Sequence, residues 1–295
     1  MMSAQESLLK IAVHQMCSGI STGDNAAAMA EAVYQASAAG AGMYFAPEMS
    51  ILVDRDRERA ALKVVAESES AAISTIADAA EKHNMWVHLG SAPVRSDDGG
   101  KFANRSIVIG PDGMIRARYD KMHLFDVDLA TGERWRESAA YLGGEGPVAV
   151  QTPMGLMGLS VCYDLRFPDL YSAYAKAGVD VLAIPSAFTV PTGKAHWHIL
   201  LRARAIEAQA FVIAAAQCGK HQDGRETYGH SLVIDPWGDI LLDMGAREGL
   251  GFAEIDLSCI NEVRAQIPVR TNRRIIDMAV KVVRTAAEPD GALAT

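Results

Sequence analysis

Three residues far apart in the chain carry the parts of an acyl-transfer site: a thiol at Cys162, a carboxylate at Glu48 and an ammonium at Lys121. Cys162 closes the apolar run Leu156-Met157-Gly158-Leu159-Ser160-Val161 and is followed by Tyr163-Asp164-Leu165-Arg166-Phe167-Pro168. The aliphatic run predicts a buried strand, and Pro168 suits the first turn of a helix, so the sulfur is expected at a strand-to-helix turn. There a helix N-terminus lowers a thiol pKa and backbone N–H groups can face a developing oxyanion. Taken alone, the segment reads as readily as a small buried hydrophobe on a strand. Glu48 follows Phe45-Ala46-Pro47 where another apolar strand ends, and no helix face or charged run claims it; the plain alternative is a solvated strand-end glutamate. Lys121 ends a third strand in Ile115 to Lys121, and by itself it is a surface lysine. Together they suffice for chemistry. The carboxylate can take the thiol proton and pass it to a leaving amine, while the ammonium and the Tyr163 backbone N–H hold the oxyanion.

The elements that must position these groups alternate along the chain. Leu9–Val13 reads as a strand, Asp24-Asn25 as the cap of a helix running toward Gly40, and Met43–Ala46 as a second strand; Ser68 to His83 is a helix and Trp86–Leu89 a third strand. This β-α-β rhythm predicts an α/β layered fold. Ser106-Ile107-Val108-Ile109-Gly110-Pro111-Asp112-Gly113 resembles Ser231-Leu232-Val233-Ile234-Asp235-Pro236-Trp237-Gly238, each a hairpin turning at Pro-x-Gly. The same interval separates Met85-Trp86-Val87 from Ala210-Phe211-Val212, which predicts two similar halves. One domain over residues 1–285 is expected, with residues 286–295 as an arm or disordered tail.

Composition narrows the partners. The 295 residues are 49% hydrophobic and 22% charged, as in a soluble enzyme, and the formal charge of −8 argues against nucleic acid. The N-terminus has no signal-peptide pattern and no apolar run spans a bilayer, so a cytoplasmic protein with no membrane partner is expected. Cys17, Cys162, Cys218 and Cys259 are scattered without a CxxC pair, which suits reduced thiols rather than disulfides or zinc; the three besides Cys162 read as packing residues.

Phe45-Ala46-Pro47-Glu48, Asp120-Lys121-Met122-His123-Leu124 and Val161-Cys162-Tyr163-Asp164-Leu165-Arg166-Phe167-Pro168 resemble the three signature segments of the nitrilase, or carbon–nitrogen hydrolase, superfamily, in the same order. The resemblance implies a four-layer αββα sandwich with a Glu-Lys-Cys triad and no metal or organic cofactor. It makes Glu48 the general base, Lys121 the oxyanion stabiliser and Cys162 the nucleophile. It also makes Glu137 a second active-site glutamate that positions Lys121 and substrate, although local pattern alone gives only a charged loop residue. Tyr163-Asp164 after the cysteine resembles the amide-hydrolysing branches rather than true nitrilases. Arg166 matches the arginine that holds a substrate carboxylate in amidases of α-keto-acid amides, a role suited to a planar guanidinium; the alternative is an ion pair with Asp164 or Asp169. By the same resemblance Phe188 forms a pocket wall, while His196 and Trp197 open the helix Leu200–Glu207; substrate contact is open for His196, with capping and packing preferred for both.

Ala214-Ala215-Ala216-Gln217-Cys218-Gly219-Lys220-His221 with Tyr228-Gly229-His230-Ser231 resembles the deaminated glutathione amidase group more than the ω-amidases. The implied reaction is hydrolysis of the α-ketoglutaramyl amide to 2-oxoglutarate and cysteinylglycine through a thioester, a metabolite repair. ω-Amidase action on 2-oxoglutaramate, or hydrolysis of another small carboxylate-bearing amide, is the nearest alternative. A scaffold or a thiol sensor at Cys162 is a third, although a sensor needs no placed base. Departures from the group pattern fall at Gly143-Gly144-Glu145 and Ala130-Thr131-Gly132. A homodimer or higher homo-oligomer is implied, with Arg270, Arg273 and Arg274 reaching a partner subunit.

Overall fold

The computed structural model describes residues 8–96, 100–128, 132, 134–274 and 282; the expected C-terminal arm and the departures at Ala130 and Thr131 lie outside the described residues. The first half supplies β1 (Leu8–Gln15), β2 (Met43–Phe45), β3 (Trp86–Arg95), β4 (Phe102–Ile109) and β5 (Ile115–Asp120), with α1 (Thr22–Ala38), α2 (Arg57–Ala61) and α3 (Ala71–Lys82) between them. A hairpin of β6 (Asp126–Asp128) and β7 (Arg134–Arg136), then β8 (Tyr141–Leu142), lead to the second half. That half holds β9 (Val148–Thr152), β10 (Gly155–Leu159), α4 (Pro168–Ala177), β11 (Val181–Ala183), α5 (Val190–Ala208), β12 (Phe211–Ala214), the hairpin β13 (Cys218–Lys220) and β14 (Glu226–Tyr228), β15 (Leu232–Ile234) and β16 (Ile240–Asp243). The chain then returns through β17 (Gly249–Asp256) to α6 (Cys259–Gln266) and α7 (Val269–Asn272).

The two sheets repeat one plan. One runs β17-β1-β2-β3-β4-β5 with β8 beside β4, and the other runs β16-β15-β12-β11-β10-β9. In each, three parallel strands are followed by an antiparallel pair: β1, β2, β3 then β4 and β5 in one, β10, β11, β12 then β15 and β16 in the other. Both Pro-x-Gly segments turn antiparallel hairpins, so the internal repeat is real.

Burial on both faces explains the near-continuous apolar strands. Ile11, Val13, Met43 and Phe45 point into the core shared with the second sheet, while Ala12 and Tyr44 point into the core under α1 and α3. Tyr171, Tyr174, Trp197 and Leu201 cover the other face of the second sheet from α4 and α5. The order is helix, sheet, sheet, helix, which is the four-layer αββα sandwich.

Local chemistry moves several element boundaries. Ser21, not Asp24-Asn25, caps α1, accepting from the Asp24 N–H; Asn25 is buried and ties Gly19 to Ile51 through its amide. The segment expected as one helix from Ser68 is a short 3₁₀ turn at Glu67–Glu69, broken by Ser70, which caps α3. The largest shift is in α5, which begins at Val190, so His196 and Trp197 lie within it rather than at its start. Gly193 hides this start, because glycine weakens a helix by ~1 kcal/mol relative to alanine. It is required by packing: a Cβ there would fall 2.3 Å from Tyr228 Cγ.

Candidate active site

Glu48 sits on a segment stitched to an irregularity in β3. The register between β3 and β4 shifts between His88 and Ser91, where Gly90 adopts φ +78°. A Cβ on Gly90 would come within 2.0 Å of the Pro47 carbonyl oxygen, so only glycine allows this approach. Ser91 then donates from its N–H to Pro47 O and accepts at Oγ from Met49 N–H, fixing both sides of Glu48. Lys121 lies one residue past β5, where its N–H donates to Asn104 O and its carbonyl accepts from Gly144 N–H.

Cys162 opens a 3₁₀ turn that ends one residue before Pro168 begins α4. Its φ of +48° is in the left-handed region that costs a side-chain-bearing residue energy, and its N–H is held by Pro185 O at 3.0 Å. Fully buried Asp164 fastens this turn to the Lys121 loop. It accepts from Val161 N–H at 2.9 Å, from His123 N–H at 3.0 Å and from the Tyr119 hydroxyl at 2.7 Å, and His123 Nδ1 lies 2.7 Å away.

The four expected catalytic side chains meet here. Lys121 Nζ donates to Glu48 Oε1 at 2.9 Å and to Glu137 Oε2 and Oε1 at 2.8 and 3.1 Å. Glu48 Oε2 accepts from Ala187 N–H at 2.9 Å, and Glu137 Oε2 from Phe125 N–H at 2.7 Å. Burial pulls the Lys121 pKa down, but the carboxylates of Glu137 and Glu48 outweigh it, so the group is held well above the ordinary lysine range as a cation. Burial pushes the Cys162 thiol well up and the Glu48 charge adds to this, against smaller opposing effects of Lys121 and the Ala187 N–H. Desolvation thus outweighs the helix-terminus effect, and the thiol is pushed up rather than down.

The expected substrate contacts form a second group. Both terminal nitrogens of Arg166 lie 3.3 Å from His196 Nδ1, and the guanidinium sits over the Phe188 ring at 5.7 Å from its centroid. Neither Asp164 nor Asp169 pairs with it, and among the described residues no carboxylate does. Phe188 is buried against Trp197, whose indole N–H donates to His230 O. Tyr163 packs edge-on against Phe125 and Phe167. At the other end, exposed Arg273 donates to the carbonyl and hydroxyl of Ser172.

Two buried amides were missed as site residues. Asn104 Nδ2 donates to Glu48 Oε1 and to Glu137 Oε1, bridging the carboxylates, and Gln217 Nε2 donates to the Glu48 carbonyl. A polar pair, Asn104-Arg105, interrupting the apolar run of β4 was the available signal for the first; Gln217 was noticed only as a group marker.

A thiol, carboxylate and ammonium converging at strand ends of an αββα sandwich define a hydrolase of carbon–nitrogen bonds. The chain belongs to the carbon–nitrogen hydrolase family, whose model matches residues 10–265. It is 40% identical over 267 residues to the nitrilase and fragile histidine triad fusion protein NitFhit of Caenorhabditis elegans, covering 90% of this chain but only 60% of that longer protein. The NitFhit crystal structure superposes with a TM-score of 0.84, covering 91% of this chain and 65% of that one. A deaminated glutathione amidase of Bos taurus is 38% identical over 92% of this chain and 85% of its own length. Saccharomyces cerevisiae Nit3, a nitrilase-superfamily member, is 28% identical with a TM-score of 0.82, covering 91% of this chain and 97% of that one.

Proposed function

We propose that this protein is an amidase that hydrolyses the α-ketoglutaramyl amide of deaminated glutathione to 2-oxoglutarate and cysteinylglycine. The observation that carries the reading is the buried cluster in which Lys121 bonds both Glu48 and Glu137, with Glu48 and Cys162 both bonded to the Pro185–Ala187 segment. Glu48 accepts the thiol proton as sulfur attacks the amide carbon, so no free thiolate is needed beforehand. The oxyanion is met by the Lys121 ammonium and the Tyr163 N–H, and Glu137 keeps Lys121 aimed. Glu48 returns the proton to the departing amine, leaving an acyl thioester on Cys162. Water, deprotonated by Glu48, then attacks the thioester; the acid leaves and the proton returns to sulfur.

Arg166, which meets His196 but no carboxylate among the described residues, supports an acyl half bearing a carboxylate, and the names of relatives such as the Bos taurus protein support the choice of deaminated glutathione. 2-Oxoglutaramate shares that acyl half, and hydrolysis of it is the second reading. The same proposal includes a single hydrolase domain over residues 1–285, a homo-oligomer, a cytoplasmic location and a repair role; no helix among the described residues is long and apolar enough to cross a membrane. The test is hydrolysis of both amides with mass spectrometry of quenched protein. An acyl adduct on Cys162, absent from Cys162→Ala, is expected, and unimpaired turnover by Cys162→Ala would overturn the assignment.

A further inference from the structure

Arg225 lies outside the catalytic cluster but is built into its surroundings. It ends the turn of the β13–β14 hairpin, where its carbonyl accepts from His221 N–H and its own N–H donates to Asp223 Oδ1. That hairpin is rigidly seated. His221 Nδ1 lies 2.9 Å from Ser18 O and its Nε2 2.8 Å from Thr227 Oγ1, while Tyr228 N–H donates to the carbonyl of Phe188.

The Arg225 side chain is held at two points. Its Nε donates to Asp223 Oδ2 at 2.8 Å, and the guanidinium lies over the Trp135 ring at 5.2 Å from its centroid. Asp223 is fully buried at its side chain and already occupied by the N–H groups of Arg55 and Arg225. The terminal Nη edge of Arg225 is thereby left with no acceptor among the described residues, on a side chain that is 20% exposed. Trp135 beside it has a buried indole N–H that is also without an acceptor among them. Two neighbouring donors, one cationic, lack an acceptor among the described residues.

A chain of packed aromatic rings links this guanidinium to the catalytic cluster. Trp135 packs on Phe125, and Phe125 on Tyr163, the residue next to the nucleophile. Arg55 lies alongside the Gly224 turn, within 4.0 Å of a Cβ placed there, so a second guanidinium borders the same rim. Exposed Glu226 is the nearest acidic neighbour in sequence, and it has no bond to the Arg225 side chain among the described residues.

The geometry points to Arg225 as the anchor for a carboxylate on the amine half of the substrate, while Arg166 takes the carboxylate of the acyl half. The site then suits an amide with an anion at each end, such as an α-keto acyl group joined to a short peptide with a free C-terminus. Its two free Nη groups match a carboxylate through parallel hydrogen bonds. The inference rests on the amidase reading above and specifies its leaving group.

The test uses three amides with one acyl half: deaminated glutathione, the same compound with its glycine carboxylate converted to carboxamide, and 2-oxoglutaramate. The wild-type protein is expected to favour the carboxylate over the carboxamide form by at least about 10-fold in kcat/KM, chiefly through KM. Arg225→Gln should erase most of that preference, and Arg225→Lys should restore part of it. Equal losses on the acid and the carboxamide, or no wild-type preference, overturn the inference while leaving the amidase intact. Wild-type turnover of 2-oxoglutaramate alone also overturns it. Failure to cleave any of the three rejects the amidase reading itself, and this inference with it.

Discussion

The side-chain amide of Gln217 donates to the backbone carbonyl of Glu48 at 3.0 Å across 169 residues of sequence. The second half of the chain thus holds in place Glu48, the proposed base, which the first half supplies. Gln217 also exchanges two bonds with Ser18, accepting from its N–H and donating to its hydroxyl. Gln217→Leu is expected to strand these buried groups, lowering stability by about 1–3 kcal/mol. It should also lower kcat by at least about 10-fold with a smaller change in KM, because the base is displaced and substrate contacts are not. Urea denaturation and steady-state kinetics check both.

Cys162, the proposed nucleophile, has a left-handed backbone. Glycine tolerates that conformation, whereas alanine carries a Cβ into it at a cost of about 1 kcal/mol. Cys162→Gly should therefore be at least as stable as Cys162→Ala, the reverse of the usual order at buried positions, with both inactive. A clearly lower melting temperature for the glycine variant would remove the strain argument.

Two buried histidines predict loss of stability in acid. Burial lowers His88 to about 3 and His14 to about 4; each stays neutral in a hydrogen bond, to Ser106 Oγ and the Tyr44 hydroxyl respectively. Their folded pKa values lie below the unfolded value near ~6.5, so the unfolded chain takes up protons first as pH falls. Stability present above about pH 6.5 is lost toward pH 4 and 3, with a slope approaching ~1.4 kcal/mol per pH unit for each histidine. Urea midpoints at pH 7.5 and 5.0 should differ accordingly. His88→Gln should flatten the dependence, and an unchanged slope would count against the assignment.

Gly193→Ala tests the packing that lets α5 start early. Alanine is the better helix former by ~1 kcal/mol, yet its Cβ would meet the Tyr228 ring. The expected outcome is a net loss of about 1–3 kcal/mol, as for an overpacked core, and a lower kcat/KM because Tyr228 is bonded to the Phe188 carbonyl. Stabilisation would show that the ring yields freely.

What could be read from sequence was whatever is written locally. An apolar run followed by Cys162 and Pro168 marks a strand, a turn and a helix within a dozen residues, and the Pro-x-Gly hairpins repeat in recognisable form. Asp164, Asn104 and Gln217 could not be read this way, because their partners lie 41, 56 and 169 residues distant. The same holds for the thiol. Its position at a turn suggested a lowered pKa, but burial beside Glu48 depends on how the two halves meet, and it reverses the direction.

The last strand has a consequence for synthesis. β17 pairs antiparallel with β1 from Leu8↔Asp256 to Gln15↔Gly249, so β1 is the edge strand of the first sheet until residues 249–256 have been made. On the ribosome, the N-terminal half must wait with β1 available for pairing with strands of other nascent chains. A chain released before β17 emerges would retain Glu48 and Lys121 but leave the long apolar strand β1 unpaired along that side, a border prone to aggregation.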